Sequence, residues 1–241
     1  MASETRHISP LEVQANRFAL VSRLADDLAH EIKNPLHAIV INLELLKRRA
    51  QGGDMATVLE RAEFVGGEVT RVNAMLDQLL QLLRPMRQTD LVRDIDHAVD
   101  ELLPLVQQQA RLARVELVYQ GIGAPVAAPI RRDALKLVLL NLVADALGAL
   151  GAAGGRLELV AASIDGGVQI AVADAPVGAS APAEPAPARG TPAAGDRDRE
   201  LELGRSVVRS LIDDVGGAFS IEPVHGGGTR RVVHFGRTTV A

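Results

Sequence analysis

At 241 residues with no cysteine, the chain has material for one large domain or two small ones and can hold neither disulfides nor thiolate metal sites. Its charge is mildly acidic, 30 Asp and Glu against 26 Lys and Arg, and aromatics are 2% with no tryptophan. Alanine, leucine and valine must therefore build the core, and the basic, aromatic-studded stripe of a nucleic-acid binder is absent. The N-terminus lacks the apolar run of a signal peptide, and the most apolar stretch, 135–150, is broken by Lys136, Asn141 and Asp145. No membrane span is expected, and a cytoplasmic location is.

Ser9-Pro10-Leu11-Glu12 opens the first predicted helix, with serine as N-cap, proline at the first helical position and glutamate closing a capping box. The helix is expected to run to about Ala50, stopped by Gly52-Gly53. Within it Phe18, Val21, Ala25, Leu28 and Ile32 recur at spacings of three and four and draw an apolar stripe. His30 lies nearly opposite that stripe, with Asp26, Lys33, Asn34 and His37 around it, so its imidazole faces water. At Pro35 the stripe shifts register to Leu36, Ile39, Leu43 and Leu46, and a bend is expected there. Asp54 can cap a second helix, whose stripe is Val58, Ala62, Val65, Val69, Val72, Leu76, Leu79 and Leu83. Phe64, Met75, Leu80 and Leu82 widen it beyond what one partner helix covers. Such a hairpin should pair with a second copy as a four-helix bundle, the alternative being that the surplus packs on the rest of the chain.

Residues 85–90 read as a linker. A helix over Ile95 to Ala113, kinked at Pro104, is expected next, then a strand at 115–119 and a short edge strand within 125–130. Asp133 is a cap for a helix over 134–150, ended by glycines. Two alternating runs, 156–164 and 168–173, meet at Asp165-Gly166-Gly167 as a hairpin. From 175 to 199 alanine and proline dominate and no period survives, so a flexible segment is expected. A helix over 200–215 and a hairpin pairing 218–223 with 230–235 complete an α+β fold, a sheet packed against helices. The expected domains are 9–84, the linker 85–90, and 91–241 with 175–199 as a lid or insert.

His30-Glu31-Ile32-Lys33-Asn34-Pro35-Leu36 resembles the phosphoacceptor box of two-component histidine kinases, His-Glu-x-x-Asn-Pro-Leu, at every characteristic position. The alternative is an ordinary surface histidine beside an ordinary kink. The resemblance implies that His30 carries a phosphoryl group, that Glu31 orients the ring or takes its proton, and that Asn34 positions water. It also implies a homodimer whose partner is a response-regulator receiver domain.

The order of elements after residue 91 resembles the ATP-binding lobe of the same family. Asn141-Leu142-Val143-Ala144-Asp145-Ala146 sits where that family has Asn-Leu-x-x-Asn-Ala, which implies that Asp145 stands at the Mg²⁺ ligand. Asp174-Ala175-Pro176-Val177-Gly178 stands for Asp-x-Gly-x-Gly, implying that Asp174 meets adenine, with Pro176 in place of the first glycine and Gly178 as the second. Of the second glycine box only Gly204 remains, and Glu200 and Glu202 put carboxylates where phosphates would approach, offset in part by Arg199 and Arg205. The readings left open are an ATP- and Mg²⁺-dependent histidine kinase, a phosphotransferase with a vestigial lobe that needs neither, and a non-catalytic scaffold dimer.

Overall fold

Ser9 and Glu12 form the reciprocal cap that the sequence predicts: the Ser9 amide donates to Glu12 Oε2 at 2.8 Å and the Glu12 amide to Ser9 Oγ at 3.3 Å. The structure, a computed structural model, describes residues 8–52, 54–83, 90–164, 166–176, 196–224 and 227–236. From that cap helix α1 runs over Pro10–Gln51, continuing through Pro35, and α2 covers Met55–Leu83. Asp54 caps α2 by accepting from the Thr57 amide at 3.2 Å, and the Thr57 bonds hold its carboxyl below the usual range. Contacts divide the chain into two compact units, Phe18–Pro85 and Met1–Arg17 with Met86–Ala241.

In the helical unit the buried leucines of α1 are Leu20, Leu24 and Leu28, while Phe18 is 74% exposed. The predicted stripe is therefore out of phase by a fraction of a turn, sharing only Leu28. Burying the larger leucines removes more apolar area than burying Val21 and Ala25, which stay half-buried. On α2, Val58, Val65 and Val72 are half-buried and Met75 is buried, whereas Val69 and Leu76 face outward. Arg61 on α2 donates to Asn42 Oδ1 on α1 at 2.8 Å, so the two helices are tied by a side-chain bond as well as by apolar contact.

The second unit is a five-stranded sheet in the order β2-β4-β5-β7-β6, comprising β2 Val115–Gln120, β4 Gly155–Ile164, β5 Gly167–Pro176, β6 Ala218–Pro223 and β7 Thr229–Gly236. Only the β2–β4 pair is parallel. A smaller ladder pairs β1 Leu91–Val92 with β3 Ala128–Arg131. Helices α3 Ile95–Asp100, α4 Leu103–Leu112, α5 Arg132–Leu150 and α6 Asp196–Asp213 supply the facing layer, giving the expected α+β arrangement. The predicted single helix over 95–113 is two, because Pro104 enters the first turn of α4 and cannot continue α3. Arg131, at the end of β3, is the cap residue of α5; Asp133 falls inside its first turn and accepts from the Ala134 amide at 2.8 Å. Residues 175–176 end β5 and 196–199 begin α6, so the segment expected to lack structure is shorter at both ends. Its remainder, residues 85–89 of the expected 85–90 linker and the turn residue Asp165 lie outside the described residues.

Register sets which strand residues meet the helices. Leu159, Val172 and Arg231 share one cross-strand row, Ala161, Ile170 and Val233 the next, and Val168 with Phe235 the third. All but Arg231 belong to the apolar core shared with Leu135, Val138, Leu142 and Ile212. Phe235 is fully buried there, so Phe235→Ala is expected to lower the lobe's unfolding free energy by about 3–5 kcal/mol. Urea unfolding should show a lower midpoint at an unchanged slope; an unchanged midpoint would place Phe235 outside the core.

Candidate functional site

The first set of residues stands on α1. His30 and Asn34 are both exposed, one turn apart on one face of the helix, with Glu31 half-buried and Pro35 buried behind them. Lys33 and His37 are also exposed. Presented this way, the His30 imidazole is open to solvent.

The second set lies in the sheet lobe, and there the geometry differs from a ligand-ready site. Asn141, on the buried face of α5, donates to Asn16 Oδ1 at 2.9 Å and accepts from Asn16 Nδ2 at 3.0 Å. Its amide also donates to the Leu137 carbonyl at 2.8 Å. Gly204 on α6 is buried against this amide pair: a Cβ there would fall 2.5 Å from Asn141 Oδ1. That glycine permits close helix approach rather than curling a phosphate loop.

One turn along α5, Asp145 is 3% exposed and meets two guanidinium groups. Arg205 of α6 reaches Oδ1 with Nη2 at 2.7 Å and Nε at 3.0 Å, and Arg231 of β7 donates through Nε to Oδ2. Arg231 also donates through Nη1 to Asp174 Oδ1 and to the Thr229 carbonyl, the latter at 3.2 Å. Asp174 is 3% exposed and Arg231 1%. Gly178 lies outside the described residues. Beside the first turns of α6, a pocket is lined by Ile8, Glu12, Arg199, Glu202, Leu203 and Ser206; two carboxylates against one guanidinium make it a poor phosphate cradle.

Sequence reasoning missed Arg231 and Asn16. Arg231 shares the strand parity of Val233 and Phe235, which forced it inward, and that signal was available. Asn16 stands four residues before Leu20 on the same buried spacing as Leu24 and Leu28, a phase that the predicted stripe did not have.

With this geometry in view, residues 20–88 match the His Kinase A (phospho-acceptor) domain. The sensor histidine kinase ZraS of Escherichia coli O157:H7 is 28% identical over 214 residues, which is 89% of this chain and 46% of that protein. The chain thus spans about half the length of this relative. Among solved structures, the catalytic domain of histidine kinase ThkA covers 60% of this chain and 94% of its own at 21% identity and a TM-score of 0.47. Full-length ShkA in complex with AMPPNP covers 90% of this chain and 46% of its own, with 21% identity and a TM-score of 0.47. The resemblance to two-component histidine kinases drawn from the phosphoacceptor box is borne out. Among the described residues no helix is long and apolar enough to cross a membrane.

The lobe residues can be tested for fit to Mg²⁺ and a nucleotide. Magnesium demands near-octahedral oxygen coordination and keeps several waters. Asp145 offers it a carboxylate whose two oxygens already hold two guanidiniums, one of them buried and permanently charged. At Asp174, where the resemblance implies adenine, Oδ1 already accepts from Arg231, so a base would have to share the carboxylate with a buried cation. As arranged, these residues do not fit the group. The amide pair, by contrast, behaves as a structural bond. A double-mutant cycle of Asn16→Ala and Asn141→Ala should give a coupling energy of about 0.5–3 kcal/mol in urea unfolding, and additive effects would show that the pair is not formed in solution.

Proposed function

We propose that this chain is a phosphoryl carrier of the two-component histidine kinase type, with His30 as phosphoacceptor and a response-regulator aspartate as the group it exchanges with. The observation that carries this reading is the exposed His30 inside a complete box, with Asn34 one turn away on the same face. In the transfer, a lone pair on a neutral ring nitrogen attacks phosphorus in the regulator's acyl phosphate. The N–P bond forms as the P–O bond to aspartate breaks, and the aspartate leaves as a carboxylate. Glu31 orients the ring from the side and accepts a hydrogen bond from its N–H. Asn34 positions water for hydrolysis of the phosphorylated regulator.

The hairpin, residues 9–84 joined by 85–90 to the lobe at 91–241, works in this reading as a homodimer on the cytoplasmic side, where receivers reside. Support comes from Phe18, Val40, Ile41, Leu59, Phe64 and Val69, which are apolar and exposed on α1 and α2 of a single copy. The source of the phosphoryl group divides two versions: autophosphorylation from ATP with Mg²⁺ at Asn141, Asp145, Asp174, Gly178 and Gly204, or uptake from another regulator. The pairing of Asp145 and Asp174 with Arg231 favours the second.

The test uses the full chain and a panel of purified receiver domains, each charged with radiolabelled acetyl phosphate. Wild type should take label from at least one receiver, and His30→Gln should reduce it to background. Asn34→Ala should keep the label on His30 but slow hydrolysis of the phosphorylated receiver. Equal labelling of His30→Gln would reject the site, and no label on wild type from any receiver would leave a scaffold.

A further inference from the structure

Every polar residue that the sequence assigns to a nucleotide, and that the structure describes, is bonded inside the chain: Asn141 to Asn16, Asp145 to Arg205 and Arg231, Asp174 to Arg231. We propose that Arg231 is the built-in occupant of the lobe's cleft, so that the lobe does not take up Mg–ATP and His30 is charged by a phosphorylated receiver instead. Only the last clause rests on the role proposed for His30; the occupancy of the cleft does not.

The chemistry of the guanidinium matches both roles that it displaces. Its N–H at Nη1 gives Asp174 the donor that an adenine amine would give, and its charge at Nε gives Asp145 the cation that magnesium would be. Strand register makes this contact systematic rather than incidental. Arg231 pairs with Val172 and Thr229 with Asp174, so Arg231 and Asp174 are diagonal neighbours on the inward face of β5 and β7. The backbones close behind them: Gly228 has φ +98°, and a Cβ there would lie 1.9 Å from the Asp174 carbonyl oxygen.

Ejecting the arginine is unfavourable. It is 1% exposed, cannot deprotonate, and would leave Asp174 buried without this partner and Asp145 with Arg205 alone. A dication entering beside it would meet a fixed positive charge in a poorly screened interior. Nε and Nη1 of Arg231 are committed to Asp145, Asp174 and Thr229, which leaves only Nη2 to meet any phosphate.

The experiment has two arms on the full-length chain. In the first, wild type is titrated with ATP and MgCl₂ to millimolar concentration by calorimetry, with thermal unfolding in parallel. No saturable heat and an unchanged Tm are expected; a saturable isotherm or a concentration-dependent rise in Tm overturns the proposal. In the second, Arg231→Met should lower Tm by roughly 10 °C, and the charge-free triple variant Arg231→Met, Asp145→Asn, Asp174→Asn should recover most of that loss. Wild-type Tm in the single variant overturns the lock, as does a triple variant that melts no higher than the single one. If Arg231→Met does not fold at all, recovery of folding in the triple variant is the supporting result and its failure the overturning one. The His30→Gln assay reads the phosphoacceptor separately, so ATP binding by wild type would sink the occupied cleft while leaving His30 in place.

Discussion

A guanidinium buried between two carboxylates is the constraint on which the lobe depends. Removing an ion from water costs several kcal/mol even after relaxation, and the cost is offset only when partners and geometry are good. Arg231 meets that condition by reaching Asp145 on α5 and Asp174 on β5 from one side chain, and it thereby ties sheet to helix. Arg205 adds a second positive charge from α6. Two carboxylates against two guanidiniums make a cluster with no formal net charge, which is the form in which a low-dielectric interior tolerates ions. Four elements, α5, β5, α6 and β7, are brought together by charge in a region otherwise held by leucine, valine and isoleucine.

The helical unit obeys a different logic. There a polar side chain is left out of the packing. His30 stays exposed because Leu24 and Leu28 turn the other face inward, and Asn34 follows it by one turn. Pro35 is buried and removes one rung of the backbone ladder, yet α1 continues to Gln51, since both flanking stretches have apolar faces to bury.

Much of this was legible in the sequence. The capping box at Ser9 and Glu12, the two long helices, the 155–176 hairpin and the closing strands followed from caps, periodicity and turn residues, because those signals are local. Boundaries slipped where a neighbour overruled local preference: Pro104 divided one expected helix, and β3 running into α5 moved the cap from Asp133 to Arg131. The phase of α1 was misread because two overlapping stripes share Leu28 and only packing chooses between them. The phosphoacceptor box was legible since its residues are contiguous on one helix. The lobe's residues were found individually but not their partners, because Asn16–Asn141 and Arg231–Asp174 are contacts between distant segments that no spacing encodes.

Gly204 shows why a motif match and a role can separate. As a remnant of a glycine box it suggests bare amides at a helix start. In the fold its missing Cβ makes room for the Asn141 side chain, which is held in turn by Asn16. The same separation applies to Asp145 and Asp174, whose carboxylates have the right chemistry for a metal and a base but are turned to an arginine. A residue type states what an atom can do, and its neighbours decide which of those things it does. In α1 the neighbours leave the imidazole open; in the lobe they already hold Asn141, Asp145 and Asp174.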